Sequence, residues 1–215
     1  KLIGEMLGKK RVTMITLNND FGISLANGFK EKAGDFGIEI ISEYEYSIKD
    51  REFGAIVSKI KSENPDAIYA SGYFFTAGPL VRQLRAAGIN QPVVGQEGYD
   101  SQKFIEIAGD ASEGVMITTS LDRDSSNPVT QSFIEGFSNK AGYPADMVGA
   151  SGHTAILVLA DAMSRAGSTD KASLRDAIAS TNLEASTGQI SFNALGEVQK
   201  DVQVQVVRDG NWHHH

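Results

Sequence analysis

The sequence contains no cysteine, which excludes thiol nucleophiles, thiolate metal sites and disulfide staples together. No block of lysine or arginine stands out. The balance is 27 acidic against 20 basic residues, a net charge of −7, which argues against nucleic acid or an anionic membrane surface as partner. No apolar run reads as long enough to span a bilayer. There is no signal peptide and no initiator methionine before Lys1, so the expectation is that an upstream segment has been removed. Histidine is scarce as well. His213, His214 and His215 read as a tag remnant over residues 213–215, leaving His153 as the one internal histidine. Neither a metal nor a cofactor is expected.

What is present suffices for one domain or two small ones: 215 residues, 41% hydrophobic and 22% charged. The first half alternates short apolar strands with amphipathic helices. Strands are expected at 12–17, 39–44, 67–70, 92–95 and 115–118. Between them, Leu25, Phe29 and Ala33 mark one helix. Phe53, Ile56, Val57 and Ile60 mark a second, Leu80, Val81 and Leu84 a third that Gly88 closes, and Phe104, Ile105 and Ala108 a fourth. Such repetition predicts βαβ units, hence an α/β fold with a parallel, doubly wound sheet. The polar stretch 122–128 reads as a linker. Beyond it the pattern predicts helices at 129–141, 148–166 and 171–180, and strands at 189–192 and 202–207.

In an open parallel sheet, ligands bind beyond the carboxyl ends of the strands. The loops there are Asn18-Asn19-Asp20-Phe21-Gly22, Ser71-Gly72-Tyr73-Phe74-Phe75 and Gln96-Glu97-Gly98-Tyr99-Asp100. In a 2-1-3-4-5 strand order they are neighbours. They offer aromatic surface and acidic groups but no lysine or arginine, which suits a ligand with a cationic head and an apolar body. Plainer roles stay open for each residue. Glu97 can be a solvated charge, and Tyr73 and Phe74 can cover the sheet end. Phe21 can be a hydrophobic staple and Asp20 a helix cap. Met147 and His153 are read as packing within their helix, and Trp212 as sealing an edge.

Rival chemistries on such a sheet lack their residues. No Walker loop and no Gly-x-Gly-x-x-Gly after a strand occurs, and strand three ends in Ala70-Ser71-Gly72 with no phospho-accepting aspartate. Gly149-Ala150-Ser151-Gly152-His153 lacks the nucleophile-elbow spacing and lies in a helical stretch. No enzymatic activity is expected.

Taken in order, Leu17-Asn18-Asn19-Asp20-Phe21-Gly22, Asn64-Pro65-Asp66-Ala67-Ile68-Tyr69, Ser71-Gly72-Tyr73, Leu84-Arg85-Ala86-Ala87-Gly88 and Gly95-Gln96-Glu97-Gly98 resemble the periplasmic leucine/isoleucine/valine-binding protein family. These are type I solute-binding proteins of ABC importers, and the similarity runs along nearly the whole chain. The resemblance implies two doubly wound lobes joined by three crossovers, with an amino-acid ligand captured between them by hinge closure and delivered to an ABC permease. Residues 1–120 would be the second lobe, 121–200 a linker and part of the first lobe, and 201–212 a strand returning to the second. The family binds its ligand's ammonium through an acidic residue after strand four and a tyrosine after strand three, here Glu97 and Tyr73. An aromatic after strand one covers the ligand, and Phe21 stands where some members have tyrosine. The carboxylate-binding hydroxyls belong to the first half of the first lobe. That half is expected before Lys1 on the same polypeptide or on another chain, and without it the helices after Asn127 should pack on a partner chain, rearrange or expose apolar side chains. The implied location is periplasmic or extracellular, with or without a lipid anchor. The alternative on the same fold is the ligand-binding domain of a sensor or regulator.

Overall fold

The computed structural model describes residues 1–215. Its contacts divide the chain into two compact units. Unit 1 comprises Lys1–Thr118, Gln205–His213 and His215, and unit 2 comprises Thr119–Val204 and His214. The sequence reading divides the chain at 120 and 201.

In unit 1, a one-turn π-helical segment, Leu2–Met6, precedes β1 (Arg11–Leu17), α1 (Asp20–Ala33), β2 (Glu39–Tyr46), α2 (Gly54–Glu63) and β3 (Ala67–Ala70). Then come α3 (Phe74–Ala86), β4 (Val93–Gly95), α4 (Gln102–Ala108) and β5 (Met116–Thr119). Strands β9 (Gln203–Arg208) and β10 (Asn211–His214) complete one seven-stranded sheet in the order β10-β9-β5-β4-β3-β1-β2. Pairs β1–β2, β1–β3, β3–β4 and β4–β5 are parallel, so the 2-1-3-4-5 arrangement expected of βαβ units is present.

Each strand's place follows from its side chains. Strand β1 is buried along both faces from Val12 to Leu17, as the centre of a helix-covered sheet requires. Its two threonines are satisfied: Thr13 donates to Glu63 (3.1 Å) and Thr16 to Glu43 (3.0 Å). Phe53, Val57 and Ile60 present one buried stripe beside α2, and Ala77, Leu80, Val81 and Leu84 do the same on α3. Strand β10 takes in the histidine-rich end, with His213 and His214 pairing at the sheet edge. Within it Trp212 is buried, stacks on Phe104 at 5.7 Å and donates to the Ser101 carbonyl (3.3 Å).

Unit 2 holds α5 (Pro128–Ala141), α6 (Met147–Ala166) and α7 (Lys171–Ala179). Its antiparallel sheet consists of β6 (Asn182–Ala185), β7 (Gly188–Phe192) and β8 (Val198–Gln199). The sequence reading has one strand there where the structure has three. Asn127, Asp146 and Asp170 cap the helices by accepting backbone N–H bonds. Leu121, Phe133, Ala145 and Ala150 form one small cluster, and Val158, Ala185 and Ile190 another. Val148 (71% exposed), Ile156 (64%) and Met163 (41%) on α6 stay in solvent. This 20-residue helix, with a mean hydropathy of 1.2 over an 18-residue stretch, reaches the length and apolarity of a membrane span. The reading of the sequence gave no segment that status.

Candidate functional site

The three loops at the carboxyl ends of β1, β3 and β4 are stitched to one another. The Leu17 N–H donates to Ser71 Oγ (3.0 Å), tying the end of β1 to the β3 loop. Gln96 ties the β3 loop to the β4 loop. Its Nε2 donates to the Gly72 carbonyl (2.8 Å), and its Oε1 accepts from the Gly98 N–H (2.7 Å). Gln96 is buried, 2% exposed, so both ends of its amide are used out of water, where an unmade bond would be costly.

Two glycines make this approach possible. A Cβ on Gly98 would lie 2.2 Å from the Gly72 oxygen, and one on Gly72 would lie 2.0 Å from the Tyr46 hydroxyl. Tyr46 donates that hydroxyl to the Ser71 carbonyl (2.8 Å) and lies 3.1 Å from Thr76 Oγ1. Burial pushes the Tyr46 hydroxyl pKa up to about 12, so the phenol stays a donor at neutral pH. Thr76 Oγ1 donates to the Tyr73 carbonyl (2.9 Å) and accepts from the Tyr73 N–H (3.2 Å).

On this platform the structure brings Phe21 and Tyr73 together. Their rings stack with centroids 5.1 Å apart and planes 12° from parallel. Phe21 is the second residue of α1, and Asn19, not Asp20, caps that helix by accepting from the Gly22 N–H (2.8 Å). The expectation of an Asp20 cap is therefore corrected by one residue. Asn19 has the extended backbone a cap needs (φ −154°), whereas Asp20 is already helical. Tyr73 has extended backbone (φ −118°, ψ 160°) at the entrance to α3. Glu97 is half-buried in a short 3-10 turn, Glu97–Tyr99, between the Gln96 clamp and Gly98. The Gln96–Gly72 and Gln96–Gly98 bonds thus fix the backbone on both sides of Glu97 and on the near side of Tyr73. Phe74 packs on the core beside Phe75, edge to face at 5.3 Å. Ser151 and His153 lie within α6, where His153 Nδ1 is 3.1 Å from Ser186 Oγ; no nucleophile elbow forms.

Sequence reasoning missed Gln96, Tyr46 and Thr76. A signal for the first exists, since Gly95 and Gly98 bracket Gln96 and paired glycines mark close backbone approach. Tyr46 and Thr76 carry no such mark.

The three loops carry the carboxyl groups of Asp20, Glu97 and Asp100, the stacked rings of Phe21 and Tyr73, and no basic residue, a composition that suits a cationic group. The platform offers no nucleophile–base pair, and the chain holds no cluster of metal-ligating side chains.

The sequence matches the periplasmic binding protein family over residues 2–211. A leucine-, isoleucine-, valine-, threonine- and alanine-binding protein of Pseudomonas aeruginosa is 28% identical over 201 residues, 93% of this chain and 53% of that protein. The crystal structure of a leucine binding protein from Thermotoga maritima superposes with TM-score 0.92 and 33% identity, covering 100% of this chain and 62% of that one. A solute binding protein of Rhodopseudomonas palustris in complex with benzoate shares the fold (TM-score 0.89, 22% identity, 99% of this chain and 59% of that one). The chain spans about half the length of the curated relatives it matches. Sequence match, sheet order and superposition agree that the chain belongs to the periplasmic binding protein family, whose members bind solutes and are not enzymes.

Proposed function

We propose that this chain forms one wall of the site of an extracytoplasmic solute-binding protein that captures an amino acid, branched-chain or similar, for an ABC importer. Glu97 and the Tyr73 hydroxyl hold the ammonium, and the outer part of the Phe21–Tyr73 stack receives the apolar side chain. One observation carries the reading: a single buried amide, Gln96, clamps the loops that present Tyr73 and Glu97. A carboxylate held this way keeps its place when a cation arrives, so little ordering is lost on binding. The relatives' binding of leucine and other small amino acids supports the class. The benzoate-bound neighbour supports the fold but a different ligand chemistry, and the acidic group here argues against a carboxylate on this wall.

Capture by hinge closure needs an opposite wall with carboxylate-binding hydroxyls, which we assign to the rest of a longer polypeptide. The exposed α6 stripe of Val148, Ile156 and Met163, and the apolar groove of about 330 Å³ lined by Ala155, Val158, Leu159, Ile190, Phe192 and Val198, support that assignment. Apolar surface of this kind is normally covered, and the relatives are about twice as long. Delivery to a membrane permease is part of the same proposal.

The test is thermal unfolding of the full-length protein with L-leucine, with 4-methylpentanoate (leucine's carbon skeleton without the amine) and with benzoate. A ligand at a hundred times its Kd adds about 2.7 kcal/mol. L-leucine should raise the Tm by several degrees and the two amine-free acids should not. Equal shifts with 4-methylpentanoate or benzoate would remove the ammonium site.

A further inference from the structure

Tyr73 stacks on a second ring besides Phe21. The Phe75 centroid lies 5.6 Å from that of Tyr73, with planes 15° apart. Over the Phe75 ring sits the Arg51 guanidinium, its Cζ 5.3 Å from the centroid. Arg51 is held as well, since Nη1 donates to the carbonyls of Ile48 (2.9 Å) and Asp50 (2.7 Å). The backbone around it is fastened to α3 by one side chain. Gln83 Nε2 donates to the Arg51 carbonyl, and Gln83 Oε1 accepts from the Phe53 N–H, both at 2.7 Å.

We propose that Phe75 and Arg51 are positioning residues for the amino-acid site: a cation-capped ladder of Arg51, Phe75, Tyr73 and Phe21 fixes the Tyr73 ring so that its hydroxyl, and not its face, meets the ligand. The inference rests on the ammonium-site reading above. Backbone bonds hold the Tyr73 main chain through Thr76, and its ring packs on Phe21, on Phe75 and on the edge of the core. A half-buried phenol without such neighbours samples several rotamers. Offset-parallel stacking at these separations restrains it, and the guanidinium over the terminal ring adds a charge–quadrupole attraction. The loop carrying Arg51 thereby acts on ligand affinity without touching ligand.

The test uses the full-length protein with L-leucine as probe, combining calorimetric affinity with the ring-proton NMR resonances of Tyr73, assigned by comparison with Tyr73→Phe. Phe75→Leu keeps apolar bulk and removes the ring. It should weaken binding about threefold to tenfold and move the Tyr73 resonances by loss of the ring current. Phe75→Tyr should restore both, and Arg51→Met should weaken binding about twofold to fivefold. Glu97→Gln is the parallel control for the site itself. If Glu97→Gln abolishes binding while Phe75→Leu leaves affinity and resonances unchanged, the ladder proposal is overturned and the site stands. If Glu97→Gln binds like wild type, the site reading fails and the positioning role falls with it.

Discussion

Replacing Gly98 with alanine tests the clamp between the ligand loops with a single methyl group. The new Cβ would stand 2.2 Å from the Gly72 carbonyl oxygen and 3.0 Å from Gln96 Oε1. A carbon–oxygen contact needs about 1 Å more than the first distance allows, so the loop after β3 and the loop after β4 must separate by roughly that much. Neither can give easily. The Gly72 oxygen belongs to a backbone pinned through Tyr46 and Ser71, and Gln96 is buried. Separation stretches the Gln96–Gly72 bond and displaces Glu97 from Tyr73. Overpacking of this kind costs about 1–3 kcal/mol, which for a protein of this size lowers the Tm by roughly 3–10 °C. The same change at Gly28, in the exposed middle of α1 with nothing within 4 Å of the new Cβ, should stabilise by about 0.5–1 kcal/mol through helix propensity. Calorimetric unfolding gives both signs, and titration with L-leucine should show a loss of at least about tenfold for Gly98→Ala and none for Gly28→Ala. A Gly98→Ala protein with unchanged Tm and unchanged affinity would refute the clamp.

Three further outcomes follow from buried phenols and from the stack. The Tyr99 hydroxyl is fully buried without a hydrogen-bond partner, behind a ring that stacks on Phe104 at 5.4 Å; Tyr99→Phe should therefore stabilise, by about 1 kcal/mol, and a fall in Tm would reveal a partner the structure does not show. Burial raises the Tyr69 pKa to about 12, so its contribution is complete below the unfolded value near 10 and is lost as pH rises towards 12. Tyr69→Phe should move the alkaline unfolding midpoint, followed by circular dichroism, to higher pH, and an unmoved midpoint counts against that coupling. Phe21→Ala should weaken binding of L-leucine more than of glycine, because only the larger side chain reaches the stack; equal losses would make Phe21 a packing residue.

The wound sheet was legible because its signals are periodic and local. The apolar run from Val12 to Leu17 and the stripe of Phe53, Val57 and Ile60 require no knowledge of distant residues. That the three candidate loops lie side by side was legible for a topological reason, since they follow strands that a 2-1-3-4-5 order makes neighbours. What holds the loops together was not legible. Gln96 bonds to a carbonyl 24 positions away and Tyr46 to one 25 positions away, and neither pairing leaves a trace in periodicity or composition. The small sheet of β6, β7 and β8 was missed in part because Asn182–Ala185 and Val198–Gln199 are too short and polar to alternate visibly. That residues 211–214 form a strand was not legible because a strand at a sheet edge is chosen by backbone pairing, to which side-chain identity contributes little.

The most direct measurement is calorimetric titration of L-leucine into the full-length protein and its Glu97→Gln variant, with unfolding followed in parallel. The substitution keeps the side chain's shape and removes its charge. Removing one partner of a desolvated charge pair costs about 2–5 kcal/mol, or roughly thirtyfold to several thousandfold in Kd. The account predicts that Glu97→Gln loses L-leucine binding to that extent while its Tm without ligand stays at the wild-type value. An unchanged Kd in a folded Glu97→Gln protein would contradict it.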